Sequence, residues 1–245
     1  MKHSSLKDDL RGIWYIIIKD MKSYYFKPPP ISWGIIFPIA WIFAFYLRNP
    51  QNFSDLLPGL IAMTMLFSTS AAEATVINFE IRYGTFERLL LAPISMRAIL
   101  LGKILGGTLF GLMMTTVITL GTILLFGLKF HILYIFLIVI PSLIVLATLS
   151  ALLCLSVKDP MDANILMNLP RFIMVFLSGV VYPVSKMPHV IQYIAAVLPL
   201  TYTNFGLHEA FSYSYHNMWL YTGILCVFFV VLFLPALKLL ERKFE

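Results

Sequence analysis

The sequence predicts an all-α polytopic membrane protein with six transmembrane helices. Three observations carry that prediction. Hydrophobic residues make up 60% of the 245-residue chain and charged residues only 12%, where soluble proteins carry about 25% charged residues. The apolar residues gather into runs of about twenty, the length that crosses a hydrocarbon core of roughly 30 Å. The basic residues fall unevenly about those runs, as the positive-inside rule requires. A mean hydropathy of +0.86 leaves too little polar surface to coat a soluble fold, so one or two soluble domains are excluded.

Residues 1-30 read as a cytoplasmic amphipathic helix and residues 31-245 as the membrane domain. Leu6, Leu10, Ile13, Trp14, Ile17, Met21, Tyr24 and Tyr25 recur at helical spacing, with Lys7, Asp8, Arg11, Lys19 and Lys22 on the other side. Such a helix lies along the membrane interface. Pro28-Pro29-Pro30 is expected to end it sharply, because proline lacks the backbone donor and clashes with the preceding turn. The charges spread through these thirty residues also argue against a signal peptide.

The six spans are placed at about 31–47, 57–77, 104–127, 132–156, 164–183 and 219–240, each apolar around its circumference so that its backbone bonds internally. With the N-terminus placed inside, fourteen of the eighteen Lys and Arg residues are cytoplasmic. Arg48, Lys129 and Lys186 are outside and Arg171 is within the membrane. Both termini are therefore expected in the cytoplasm of a plasma-membrane protein. Asn52-Phe53-Ser54 matches a glycosylation acceptor on the outer side. Cys154 and Cys226 sit inside apolar runs and read as small buried hydrophobes.

The loop between the second and third spans, residues 78–97, is the most informative stretch. Gly84 permits a sharp turn, Thr85 can cap a following helix, and Pro93 closes it. Phe86, Leu89 and Leu90 form a short apolar stripe beside Glu87 and Arg88. A short helix of this kind suits docking into a groove on a soluble partner.

The run Glu80-Ile-Arg82-Tyr-Gly84-Thr85-Phe86-Glu87-Arg88-Leu89-Leu-Leu-Ala-Pro93-Ile-Ser, followed by Leu101-Gly102-Lys103, resembles the signature of type-2 ATP-binding-cassette (ABC) exporter permeases. That family includes drug-resistance and polysaccharide exporters. A second block agrees: Gly179-Val-Val-Tyr-Pro183-Val-Ser-Lys-Met-Pro188, then Leu198-Pro199-Leu-Thr-Tyr202. The resemblance implies a permease subunit that pairs with a second permease, as homodimer or heterodimer, and with two copies of a cytosolic ABC ATPase. It makes the helix at about 84–93 the coupling helix, and residues 1-30 the interface helix. It makes the segment at about 184–218, with Pro183, Pro188, Pro199 and Tyr202, an outer gate of short re-entrant helices. The stretch 187–197 is apolar yet too short to span, as a re-entrant helix should be.

No cofactor is expected in this chain, ATP and Mg being bound by the partner ATPase. Gly102-Lys103 has Arg97 where the first glycine of a phosphate-binding loop should fall and Ile104 in place of Ser or Thr. The five histidines show no metal-ligand spacing, and no nucleophile or paired-carboxylate motif occurs. The basic balance serves cytoplasmic loops and lipid rather than nucleic acid. An ion-coupled transporter and an intramembrane enzyme are the alternative classes. Within the membrane, Glu73 and Arg171 form an expected polar pair; a structural ion pair is the preferred reading, and a substrate-path charge, snorkelling or a neutral Glu73 are the others. Gly102, Gly106, Gly107 and Gly111 give the small-residue spacing of close helix packing.

Overall fold

The computed structural model describes residues 5–48, 53–126, 132–157, 160–212 and 216–244. The described chain is helical without strands, and its regular elements run α1 (Leu6–Asp20), α2 (Pro28–Ile31), α3 (Phe37–Arg48), α4 (Phe53–Arg82), α5 (Thr85–Leu90), α6 (Met96–Phe126), α7 (Ile132–Ser156), α8 (Pro160–Leu177), α9 (His189–Ala196), α10 (Pro199–Ser212) and α11 (Met218–Phe244).

Ser5 caps α1, with its hydroxyl oxygen accepting from Lys7 N at 3.4 Å, and Asp8 and Asp9 face the positive end of the helix dipole. The helix widens into a π turn over Met21–Tyr25. The three prolines then open α2 rather than merely closing α1. Their missing donors fall where the first helical turn leaves N–H groups unpaired anyway, and their fixed φ suits that turn. A second π turn, Ser32–Ile36, leads into α3.

Central to the bundle is α4. Every residue of its most apolar window is buried, although its mean hydropathy of 1.5 is the lowest among the long apolar helices. Burial explains its composition. Thr64, Ser68, Thr69 and Ser70 each donate to a backbone carbonyl one turn earlier, which satisfies their hydroxyls without solvent. Helices α6, α7, α8 and α10 pack around it. The lipid-facing flanks belong to neighbours: α6 exposes Leu109, Met113, Val117, Leu120 and Leu124.

Among the described residues, four helices are long and apolar enough to cross a membrane: α4, α6, α7 and α11. Helices α9 and α10 form a pair bent by 92°, which makes five if they count as one span. Two shorter apolar stretches, Ser32–Arg48 and Leu166–Leu177, lie within the expected first and fifth spans. The protein is therefore a multi-pass membrane protein, with four or five helices of crossing length among the described residues. The acceptor at Asn52 lies outside the described residues.

Two apolar cores stack along the bundle. One gathers Ile61, Met65, Phe67, Leu143, Leu200 and Leu225 toward the α9–α10 end. The other joins Ile16, Ile77, Phe86, Ile104, Leu155 and Leu240 at the end where α1 and α5 lie. The glycine row on α6 explains how α1 and α4 approach so closely: a Cβ on Gly102 would stand 3.0 Å from Ile16 Cβ, and one on Gly107 2.2 Å from Glu73 Oε1. Close packing was the expectation for these glycines, and the geometry agrees.

Candidate coupling site

The loop predicted over 78–97 is shorter than expected, because α4 continues through Arg82 and α6 begins at Met96. Gly84 turns the chain with φ 64°, and open space surrounds the position of its absent Cβ. That backbone conformation is what requires glycine there. Thr85 does not cap α5; its hydroxyl donates back to Glu80 O at 3.4 Å, and the residue before the helix is Gly84 itself. The helix ends at Leu90, three residues before Pro93, whose ring disfavours helical backbone at Ala92.

The apolar stripe of α5 points inward. Phe86 is 2% exposed and stacks on Phe244 with ring centroids 4.7 Å apart and planes 7° apart. Leu89 and Leu90 are half-buried against the same core. The groove expected on a partner is thus supplied by this chain's own C-terminal helix, which runs four residues beyond the predicted end of the last span. What α5 presents outward is Glu87 and Arg88, flanked by Tyr83 at 65% and Leu91 at 85% exposure. Arg82 and Pro93 are exposed beside them. A groove of about 550 Å³ separates α1 from this turn, with Arg11, Tyr15, Leu89 and Pro93 on its walls.

Two polar connections tie α1 to the helices that flank α5. At its N-terminal end, the Asp9 carboxylate accepts from Ser95 N and from Ser95 Oγ, both at 2.8 Å. Ser95 Oγ in turn accepts from Ala98 N at 3.1 Å, so Asp9 orients the residue that caps α6. At its C-terminal end stands a buried charge cluster. Lys103 Nζ on α6 donates to Asp20 Oδ1 and Oδ2 at 3.1 and 2.9 Å. Lys103 also pairs with Glu80 at the end of α4, and Lys19 pairs with both Glu80 and Asp20. Asp20, Glu80 and Lys103 are no more than 1% exposed, whereas Lys19 stands 37% exposed at the rim.

Two cations and two carboxylates balance, which makes such burial tolerable. Burial pushes the Asp20 carboxyl above the usual carboxylate range; Lys103 beside it counters this and Glu80 adds to it. For Lys19, burial disfavours the charge, but Asp20 and Glu80 outweigh it and hold the ammonium above its ordinary value.

Glu80 was expected at this site from sequence, and Lys103 was read only as part of the motif. Lys19 and Asp20 were missed. A signal existed: Asp20 follows Ile16 and Ile17 by a helical turn, an acid on the buried face of an amphipathic helix. The apolar residues read as that face are instead split, since Leu6, Leu10 and Trp14 are exposed while Ile17 and Tyr25 are buried.

The expected Glu73–Arg171 pair is not formed. Glu73 lodges against Gly107 on α6, and the ion pairs among the described residues do not include it. Arg171 Nε donates to Ser70 Oγ at 2.6 Å and its Nη1 to Asn168 Oδ1 at 3.0 Å. A notch that only glycine leaves open draws the Glu73 carboxyl to α6, while the guanidinium on α8 finds neutral partners.

At the far end, the prolines expected in an outer gate each begin or precede a helical turn. Pro183 precedes a short 3-10 turn over Val184–Lys186, Pro188 precedes α9, and Pro199 opens α10. The 92° corner between α9 and α10 is held by Thr201 Oγ1 donating to Ala195 O at 2.7 Å and Tyr202 OH donating to Ala196 O at 2.8 Å. Val190 and Tyr193 on α9 and Val197 at its end are at least 70% exposed, an apolar face left uncovered among the described residues.

Comparison with known proteins then adds an independent line. A family model described as ABC-2 type transporter matches residues 11–212. Among curated proteins, the chain is 27% identical over 225 residues to one from Cyanophora paradoxa named as a transport permease, ycf38, covering 81% of this chain and 72% of that protein. It is also 39% identical over 71 residues to nodulation protein J of Rhizobium leguminosarum bv. viciae, a match covering 29% of this chain and 27% of that protein.

Proposed function

Because the chain belongs to the ABC-2 type transporter family, and is thereby a membrane transport permease, we propose that it is the membrane-spanning subunit of an ABC exporter. In this reading, six spans carry both termini in the cytoplasm of the plasma membrane, as supported by the fourteen-to-three distribution of basic residues. Two cytosolic ABC ATPase subunits, which bind ATP and Mg, supply the energy. The substrate is an amphiphilic drug or lipid, or a lipid-linked glycan.

One observation carries the mechanism: the buried cluster of Lys19, Asp20, Glu80 and Lys103 locks α1 to the ends of α4 and α6, the two helices joined by α5. Force applied to the outer face of α5 therefore reaches three helices at once. Phe86 passes it to α11 through Phe244, and Asp9 passes it from the Ser95 turn to α1. The apolar side of α5 is buried in its own chain, so the ATPase contact falls to Tyr83, Glu87, Arg88 and Leu91. ATP-driven closure of the ATPase pair then moves the cytoplasmic half as a block and opens a path along the permease interface.

The test is reconstitution with the cognate ATPase. Glu87→Lys and Arg88→Glu should insert and fold as wild type, since both side chains are exposed, but recover less ATPase or hydrolyse ATP without export. Gly84→Val should act likewise through backbone strain, of order 1–3 kcal/mol for a left-handed residue. Wild-type recovery, hydrolysis and transport in all three variants would overturn the role of α5.

A further inference from the structure

We propose that Arg171 recognises a phosphate-type anionic headgroup on the exported amphiphile, which narrows the substrate class and rests on the permease reading above. Arg171 lies deep in the bundle. Its partner Ser70 is twelve residues from Arg82 at the cytoplasmic end of α4, about 18 Å along the helix axis. A cation at that depth is costly unless it meets an anion or a water-filled cavity.

Among the described residues, none of its contacts is an anion. Ser70 and Asn168 are neutral acceptors, and the third contact is the Phe67 ring, 5.9 Å below the guanidinium carbon. The salt bridges among the described residues leave Arg171 out. Its Nη2, with two N–H donors, is buried and has no hydrogen-bond partner among the described residues, and the residue as a whole is 4% exposed. The two neutral bonds fix the plane of the fork and leave donors free, the arrangement in which arginine holds phosphate oxygens.

The surroundings suit the rest of an amphiphile. Phe67 stacks on Trp33 at 5.9 Å and meets Phe37 at 4.5 Å and Phe172 at 6.0 Å, an aromatic bed beside the charge. Phe172 follows Arg171 directly and lies, with Leu169 and Phe176, on the exposed apolar flank of α8. A tail running along that flank would bring its headgroup to the fork once α8 parts from α4. Lysine, a point charge without a planar fork, would serve less well.

The experiment uses the purified full chain in phosphatidylcholine nanodiscs and three probes with one tail: dodecyl phosphate, dodecyltrimethylammonium and dodecyl maltoside. Binding is followed by tryptophan fluorescence. Wild type should prefer dodecyl phosphate by about tenfold or more, the equivalent of one charge-assisted hydrogen bond, and inorganic phosphate should not compete. Arg171→Gln should bind all three tails equally, and Arg171→Lys should retain part of the preference. Should Arg171→Gln fail to fold, Ser70→Ala and Asn168→Ala loosen the fork while keeping the charge, and should weaken the preference without changing maltoside binding. Equal binding of all heads by wild type, undiminished preference in the variants, or displacement by inorganic phosphate would overturn the proposal. Head selectivity is read without the ATPase, so loss of ATP-driven export alone would count against the permease reading and not against Arg171.

Discussion

Removing Lys103 should be the most damaging single change in the charge cluster. The side chain is 1% exposed and holds two carboxylates, Asp20 and Glu80, which are themselves 0% and 1% exposed. Lys103→Met leaves both acids buried with only the rim residue Lys19 to balance them, so the cost should reach the upper part of the roughly 3–5 kcal/mol range for a broken buried pair. Asp20→Asn is milder, because Lys103 keeps Glu80 and the amide still accepts a hydrogen bond; about 3 kcal/mol is expected. Lys19→Met should cost about 1 kcal/mol or less, as for a largely solvated pair. The double variant Asp20→Asn/Lys103→Met removes one charge of each sign and should recover roughly 0.5–3 kcal/mol relative to the sum of the singles. Equilibrium unfolding in mixed micelles, followed by tryptophan fluorescence, measures all four. The ordering is the sharp part of the expectation. Equal losses for Lys103→Met and Lys19→Met, or strictly additive losses in the double variant, would refute the buried network.

Phe86→Ala should destabilise the protein by about 3–5 kcal/mol, the usual cost of truncating a buried phenylalanine, and Phe244→Ala should lose less because Phe244 is only half-buried; equal, negligible losses in the same unfolding assay would show that α5 is not anchored by that stack. Alkaline titration should reveal Lys19. Its ammonium is held above its ordinary value in the folded protein, so its contribution is fully present below the unfolded value of about 10.4 and is lost as pH rises through the folded one. Lys19→Met should flatten the stability profile there, and an unchanged profile would sink the assignment. For topology, a single cysteine at Ser185 should react with an impermeant thiol reagent applied to sealed cells, and one at Leu91 should not; labelling at Leu91 would invert the orientation.

Composition alone decided that this chain spans a membrane several times. Hydrocarbon admits only long apolar helices with internally bonded backbones, and that demand is written directly into runs of residues. The position of α5 was legible for a local reason as well, since Gly84 needs no neighbour to permit a left-handed turn and Pro93 none to forbid helix before it. The corner of short helices near 184–218 was likewise visible as an apolar stretch too brief to span, punctuated by prolines.

What the sequence left undecided was which side of each element is covered. Ile16 and Asp20 on α1 face α6, while Leu10 and Trp14 on the same helix are exposed. Phe86 turns inward because Phe244 comes back to meet it from the opposite end of the chain. Glu73 and Arg171 looked like partners because each was costly alone, yet the cost was met separately: one by a notch at Gly107, the other by Ser70 and Asn168. The charge cluster joins residues more than sixty positions apart in sequence. Burial on this scale depends on helix rotation and approach, and only tertiary packing fixes those. The need for each buried charge to be balanced was a property of the residues; the identity of the balancing group belonged to the fold.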